Sequence, residues 1–216
     1  MIRPLFSAST IDRYGLYAAI GTYVIQIPAD ERVDEYLDLV AAAAERTGVG
    51  PLPATWRTVD EGGEVSRILM PAKSSRLAAA LDPGGAAAID DSVIVVPSGS
   101  LYLLGLLNSR LYAFLVEELS PAGRPIALRA VCAIAIRTLE RLPIVTLDLD
   151  LPGESAQYSR LVGLVGERIT IGVAGCECPV PEAAGIDRQI DAIVYDIYGL
   201  SAGERDLVDR SVEGLK

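Results

Sequence analysis

Histidine is absent from this 216-residue chain. That excludes a Ser-His-Asp triad, a Cys-His pair and an imidazole general base. A Ser-Lys or paired-carboxylate chemistry stays open. Lysine is scarce, present only as Lys73 and Lys216. The basic side is therefore almost all arginine, which suits bidentate contact with carboxylate, phosphate or guanine. The three cysteines are an odd number and argue against a disulfide framework. Cys176 and Cys178, with Cys132 as the only other thiol, make too small a ligand set for a zinc site within one chain. They read as free thiols, no metal is expected, and a metal shared between two chains is the remaining alternative. No apolar run reaches the ~18 residues of a membrane span. The longest, Leu101 to Val116, is interrupted by Gly105, Asn108, Ser109 and Arg110. The opening Met1-Ile-Arg-Pro-Leu-Phe lacks the apolar core and cleavage site of a secretion signal, so cytoplasmic residence is the default.

What is present is a chain 50% hydrophobic and 22% charged, enough for one full domain with its own core. Its net charge is −10. Phosphate neutralisation supplies most non-specific nucleic-acid affinity. An acidic domain would therefore bind DNA weakly, through a local basic face, unless a more basic partner supplied the rest.

Periodicity and turn residues predict an α+β fold. Its β-rich region, residues 1–150, packs on a central helix, and residues 151–216 form a helical C-terminal lobe of the same domain. Tyr17 to Ile27 reads as a strand bent at Gly21, and Asp30 caps a helix over about 31–46. Residues 48–64, with Trp56, read as loop. Val65 to Met70 reads as a strand closed by Pro71. Asp82-Pro-Gly-Gly85 is a turn that would join Leu77–Leu81 and Ala86–Ile89 in a hairpin. Ser92 to Val96 is a further strand. Leu101 to Glu118 is one long helix, capped by Ser98 or Ser100 and apolar around most of its circumference. Ile126 to Arg137 is open between strand and helix, and Ile144 to Leu149 alternates as a strand. Glu154 to Ile171 and Ile186 to Tyr198 are amphipathic helices separated by a loop over Gly172–Gly185. Gly199 closes the second, and Ser201-Ala-Gly-Glu204 is a capping box that starts a short terminal helix.

Three motifs carry a resemblance. They are Tyr102-Leu-Leu-Gly-Leu-Leu-Asn-Ser-Arg-Leu-Tyr112, Leu139-Glu-Arg-Leu-Pro-Ile144, and Ile186-Asp-Arg-Gln-Ile-Asp-Ala-Ile-Val-Tyr-Asp-Ile-Tyr-Gly-Leu200. In this order, and with Ile11-Asp-Arg-Tyr14 near the start, they resemble the TaqI-like C-terminal specificity domain. That is the target-recognition part of N6-adenine DNA methyltransferases and fused type II restriction-modification enzymes. The resemblance implies double-stranded DNA as a partner. It also implies an adenine-N6 methyltransferase domain or subunit that this chain lacks, because the catalytic Asn-Pro-Pro-Tyr motif is absent. No glycine-rich loop for S-adenosylmethionine follows a strand, so neither a cofactor nor a catalytic residue is assigned. A nuclease signature of spaced acids and Glu-x-Lys is not seen either.

In the resembling family the central β-rich region faces DNA. The residues expected to contact phosphate or base are Arg57, Thr58, Arg67, Lys73, Ser74, Ser75 and Arg76. A solvated loop is the competing reading. Gly105, Asn108, Ser109, Arg110 and Pro143 identify the family and are expected to serve structure. Trp56 is expected to close over a core edge. Asp148 and Asp150, at i and i+2 of a strand, read as solvated edge charges. The alternative function is a non-catalytic scaffold or dimerisation module of this fold that no longer reads DNA, and a homodimer is an open expectation.

Overall fold

The computed structural model describes residues 2–16, 23–25, 65–74, 77–85, 87–89, 92–119, 132–133, 136–173 and 181–213. The chain opens with β1 (Ile2–Phe6), a 3-10 turn, and the short hairpin β2 (Ile11–Asp12) and β3 (Gly15–Leu16). β4 (Tyr23–Ile25) returns antiparallel to β1. Next come β5 (Arg67–Pro71), β6 (Lys73–Ser74), β7 (Ala80–Asp82), β8 (Ala88–Ile89) and β9 (Val93–Val96). The helices α1 (Leu101–Leu107) and α2 (Arg110–Leu119) lead to β10 (Cys132–Ala133) and a single helical turn, α3 (Ile136–Leu139). Three helices end the fold: α4 (Pro152–Val173), α5 (Pro181–Ile197) and α6 (Ala202–Glu213). The class is α+β. No helix among the described residues is long and apolar enough to cross a membrane.

β5 is the central strand of the sheet β7-β5-β9, antiparallel to both neighbours. Every residue of it is buried. Alternation explains why: Ile68 and Met70 enter the main core with the helices, while Leu69 joins Ile11 and Ala80 on the opposite face. A strand covered on both faces reads as a continuous apolar run, as Ile68-Leu-Met70 does. Pro71 does not stop the strand before itself. It is the last residue, opposite Val93, where an end position tolerates the missing amide.

The main core runs through both halves of the chain. It joins Ile68 and Met70 to Leu104, Leu106 and Tyr112 and to Leu161, Val165, Ile190 and Val194. Each large side chain so buried contributes about 1.5–3 kcal/mol relative to exposure. α4 packs on both α1 and α5. The α1 contact is tight: a Cβ on Gly105 would lie 2.9 Å from Val165 Cγ2 and 3.2 Å from Leu161 Cδ1, so a side chain there must displace those methyl groups.

Four expectations need correction. The single helix over 101–118 is two helices, broken at Asn108 and Ser109. Ser100 caps the first, accepting from the Leu103 amide. The hairpin around Asp82–Gly85 does not form. β7 pairs with β5 and β8 runs parallel to β1, so the turn, with Gly85 at φ +61°, hands the chain from one sheet to another. The strand over 144–149 has no strand partner, because its backbone bonds to side chains instead (below). The loop over 172–185 is shorter than its glycines suggest: α5 begins at Pro181, a residue suited to the first helical turn. Gly199, at φ +65°, closes α5, and the Ser201/Glu204 box starts α6 with reciprocal bonds of 2.8 and 3.5 Å. The helix over 31–46, Trp56, the loop over 48–64 and Cys176 and Cys178 lie outside the described residues, as does most of the strand over 17–27.

Candidate nucleic-acid interface

The Asn108-Ser109-Arg110 segment turns its polar groups inward. Asn108 is 3% exposed. Its side chain accepts from the Ala79 amide at 2.9 Å and donates to the Ala79 carbonyl at 2.8 Å, as a neighbouring strand would. Ser109 Oγ donates to the Leu106 carbonyl and accepts from the Tyr112 amide, so it ends one helix and caps the next. The Arg110 amide donates to Asp191 Oδ1 at 2.8 Å. Its guanidinium meets Asp191 at 3.5 Å, Asp209 at 3.0 Å and Glu213 at 3.6 Å. The Asn108 carbonyl accepts from the Arg13 guanidinium. All three residues are thus engaged inside the fold.

Beside them lies a polar knot that local sequence patterns do not announce. Arg13 and Arg168 both pair with Asp187, at 3.3 and 3.0 Å. Their guanidiniums flank the ring of Tyr14, 5.9 and 5.3 Å from its centroid. Tyr14 is 2% exposed and sits at φ +62°, a left-handed conformation unusual for an aromatic residue. Its amide donates to the Ala79 carbonyl at 2.9 Å. Burial pushes the Tyr14 hydroxyl well above the usual phenol range. Burial also raises the Asp191 carboxyl from 3.8 to about 6, against the opposing pull of the Arg110 amide and the Arg13 and Arg110 charges.

A second cluster uses hydroxyls. The Pro143 carbonyl accepts from Tyr112 and Tyr198, at 2.9 and 2.6 Å. Tyr102 donates to the Val145 carbonyl at 2.8 Å, and the Val145 amide donates to Tyr198 at 3.3 Å. The segments Ile11–Tyr14, Tyr102–Tyr112, Leu139–Ile144 and Ile186–Leu200 therefore converge on one hub around the α1–α2 break. Residues spaced far apart along the chain acquire their roles only through this meeting, which is why the sequence shows Arg13, Asp187 and Asp191 as parts of motifs but not the ion pairs they make, and gives no sign of Arg168.

The residues expected at DNA are placed unevenly. Arg67 is buried: its Nε donates to Asp82 at 3.0 Å, both side chains are 7% exposed, and its Nη2 donates to the Ala87 carbonyl. Its charge serves the sheet-to-sheet handover, and burial corrects the expectation that it contacts DNA. Lys73 and Ser74 form β6, antiparallel to Cys132 and Ala133, directly beyond the end of β5. Arg57, Thr58, Ser75 and Arg76 lie outside the described residues. Among the described residues Arg141, Arg160 and Arg188 are exposed and carry no ion pair; no sequence feature separates them from the paired arginines. Asp148 and Asp150 are exposed, not on a strand but in the turn before α4, where the Asp150 amide donates to Asp148 Oδ1. No group of three or more Cys, Asp or Glu side chains placed to hold a metal occurs among the described residues.

No family model matches the chain, and no curated protein sequence matches it. A solved structure does: the Type IIL restriction-modification enzyme MmeI in complex with DNA. The superposition takes in 99% of this chain, with a TM-score of 0.63 and 11% identity. The chain has the fold of a segment of a restriction-modification enzyme. At that identity the likeness is one of fold, and the chain spans 31% of the length of the enzyme. In this fold the motif residues form the hub just described. The strand that carries Lys73 and Ser74 follows the end of β5 and pairs with Cys132 and Ala133.

Proposed function

We propose that this chain is the sequence-specific target-recognition domain or subunit of an adenine-N6 DNA methyltransferase of the restriction-modification type, without the catalytic part. The observation that carries the reading is the end-to-end fold match to a segment of an enzyme solved with DNA. The ordered motifs of the TaqI-like specificity domain support the finer assignment. On this reading the hub holds a rigid scaffold, and side chains near β6, with Lys73, Ser74, Ser75 and Arg76, contact phosphate and base. Arg57 and Thr58 join them. The chemistry belongs to a methyltransferase domain or subunit, which takes the adenine out of the stack. This chain itself is not an enzyme on this reading, takes no cofactor, and works in the cytoplasm beside its DNA.

A specific observation favours a second reading, a scaffold of the same fold that does not read DNA. The net charge is −10. Arg13, Arg67, Arg110, Arg168, Arg205 and Arg210 are all paired with carboxylates. Binding of the purified chain to a randomised duplex pool at low and moderate salt separates the two. Enrichment of a short adenine-containing site supports target recognition. Salt-sensitive retention without enrichment means backbone holding that needs the partner for specificity. No retention at either salt favours the scaffold.

A further inference from the structure

The segment 143–147 is a strand without a sheet. It forms no helix and no ladder, and three tyrosines hold it by one edge. The Val145 amide and carbonyl turn inward to Tyr198 and Tyr102, and the Pro143 carbonyl turns the same way. In a strand-like chain the residues between turn their amides and carbonyls to the opposite side. Those residues are Ile144 and Thr146. Both are exposed, Ile144 at 56%, and among the described residues neither makes a backbone hydrogen bond. The open edge is sharply bounded. Upstream, Pro143 has no amide to offer and the Leu142 amide donates to Leu139. Downstream, the Asp148 amide donates to Glu154 at 2.6 Å and its carbonyl accepts from Leu151 at 3.1 Å.

We propose that this edge pairs antiparallel with the same edge of a second copy of the chain, about a two-fold axis at Val145. An open strand edge is a pairing template, and three features fit it to itself. In that register Ile144 of each copy lies opposite Thr146 of the other and exchanges both backbone bonds. Val145 faces Val145 at the position where antiparallel backbones bond outward, which is where its tyrosine partners already stand. The cross-strand pairs are β-branched on both sides, a favourable combination. Charge adds one attractive contact through Arg141. Arg141 is exposed and unpaired at one end of the strap, and Asp148 and Asp150 are exposed at the other. An antiparallel two-fold brings opposite ends together. In this register Arg141 lies opposite Leu149, between Asp148 and Asp150 of the other copy, and Glu140 lies opposite Asp150, which keeps the attraction modest. The exposed Leu149 and Leu151, at 53% and 50%, supply apolar surface at the margin. An unrelated strand would find only the two-residue ladder. This inference does not depend on DNA reading.

The test is sedimentation velocity of the full chain across a wide concentration range. A reversible monomer–dimer equilibrium is expected. Thr146→Pro deletes an outward amide and leaves Val145 and its tyrosine bonds in place, so it should weaken self-association by about tenfold or more. Arg141→Asp should also weaken it, and Arg141→Asp with Asp150→Arg should restore it, because the swapped charges still meet across the axis. If Thr146→Pro lowers the thermal midpoint, the two surface charge variants decide. A chain that stays monomeric at every concentration overturns the proposal. So does a dimer that survives Thr146→Pro at an unchanged midpoint, or charge variants that leave the equilibrium where it was.

Discussion

Asn108 and Ala79 form a two-way pair. The Ala79 amide donates to Asn108 Oδ1 at 2.9 Å, and Asn108 Nδ2 donates to the Ala79 carbonyl at 2.8 Å. The only asparagine of the chain thus ties the helix break to the chain entering β7. Asn108→Ala would leave the Ala79 amide buried without a partner, and the Ala79 carbonyl with Tyr14 alone. A loss of about 2–4 kcal/mol is expected. Urea unfolding checks it, as a lower midpoint at unchanged slope.

Glycines on neighbouring helices should respond with opposite sign. Gly163 in α4 is exposed, and nothing lies within 4 Å of where an added Cβ would stand. Gly163→Ala should therefore stabilise by about 0.5–1 kcal/mol through helix propensity. At Gly105 the same gain is opposed by contacts of 2.9 and 3.2 Å with Val165 and Leu161. Gly105→Val should destabilise by about 1–3 kcal/mol or more. Thermal midpoints of the two variants, measured side by side, should move in opposite directions.

Asp191 makes a pH prediction. Its folded-state pKa, about 6, lies above the ordinary carboxylate value of 3.8 because burial disfavours the charge. The native state then binds more protons than the unfolded state between these values. The stabilising contribution is fully present below about 3.8 and is lost as pH rises through about 6. Asp191→Asn cannot titrate. The stability of the wild type relative to this variant should fall as pH is raised across that window. Urea unfolding of both proteins at several pH values measures it, and a difference that stays constant with pH would contradict the assignment.

Arg67 and the cations Lys73 and Arg76 should separate fold from binding. Arg67→Ala leaves Asp82 buried at a lost ion pair, and about 3 kcal/mol or more of stability should go with it. Lys73→Ala with Arg76→Ala should leave stability within about 0.5 kcal/mol. The double variant should lower duplex affinity and reduce the salt slope by about 2. Unchanged affinity and slope would remove these residues from the interface.

The sequence by itself determined the elements whose reasons are local. The α4 and α5 stripes, the Ser201/Glu204 cap, the Gly199 stop and the run that becomes β5 all follow from spacing, capping chemistry and backbone freedom. The α+β class follows from their sum. The motif order also pointed towards restriction-modification enzymes before any contact was known. Tertiary structure decided whatever depends on a distant partner. The helix over 101–118 breaks because Asn108 finds Ala79 and the Arg110 amide finds Asp191, and no window of sequence contains those pairs. Ile144 to Leu149 alternates like a strand, yet Tyr102 of α1, Tyr112 of α2 and Tyr198 just past α5 take its inner edge and leave the outer edge open. Arg67 looked like a free cation until the fold set Asp82 beside it. In each case a polar group had to be satisfied once buried, and only packing fixed which group would satisfy it.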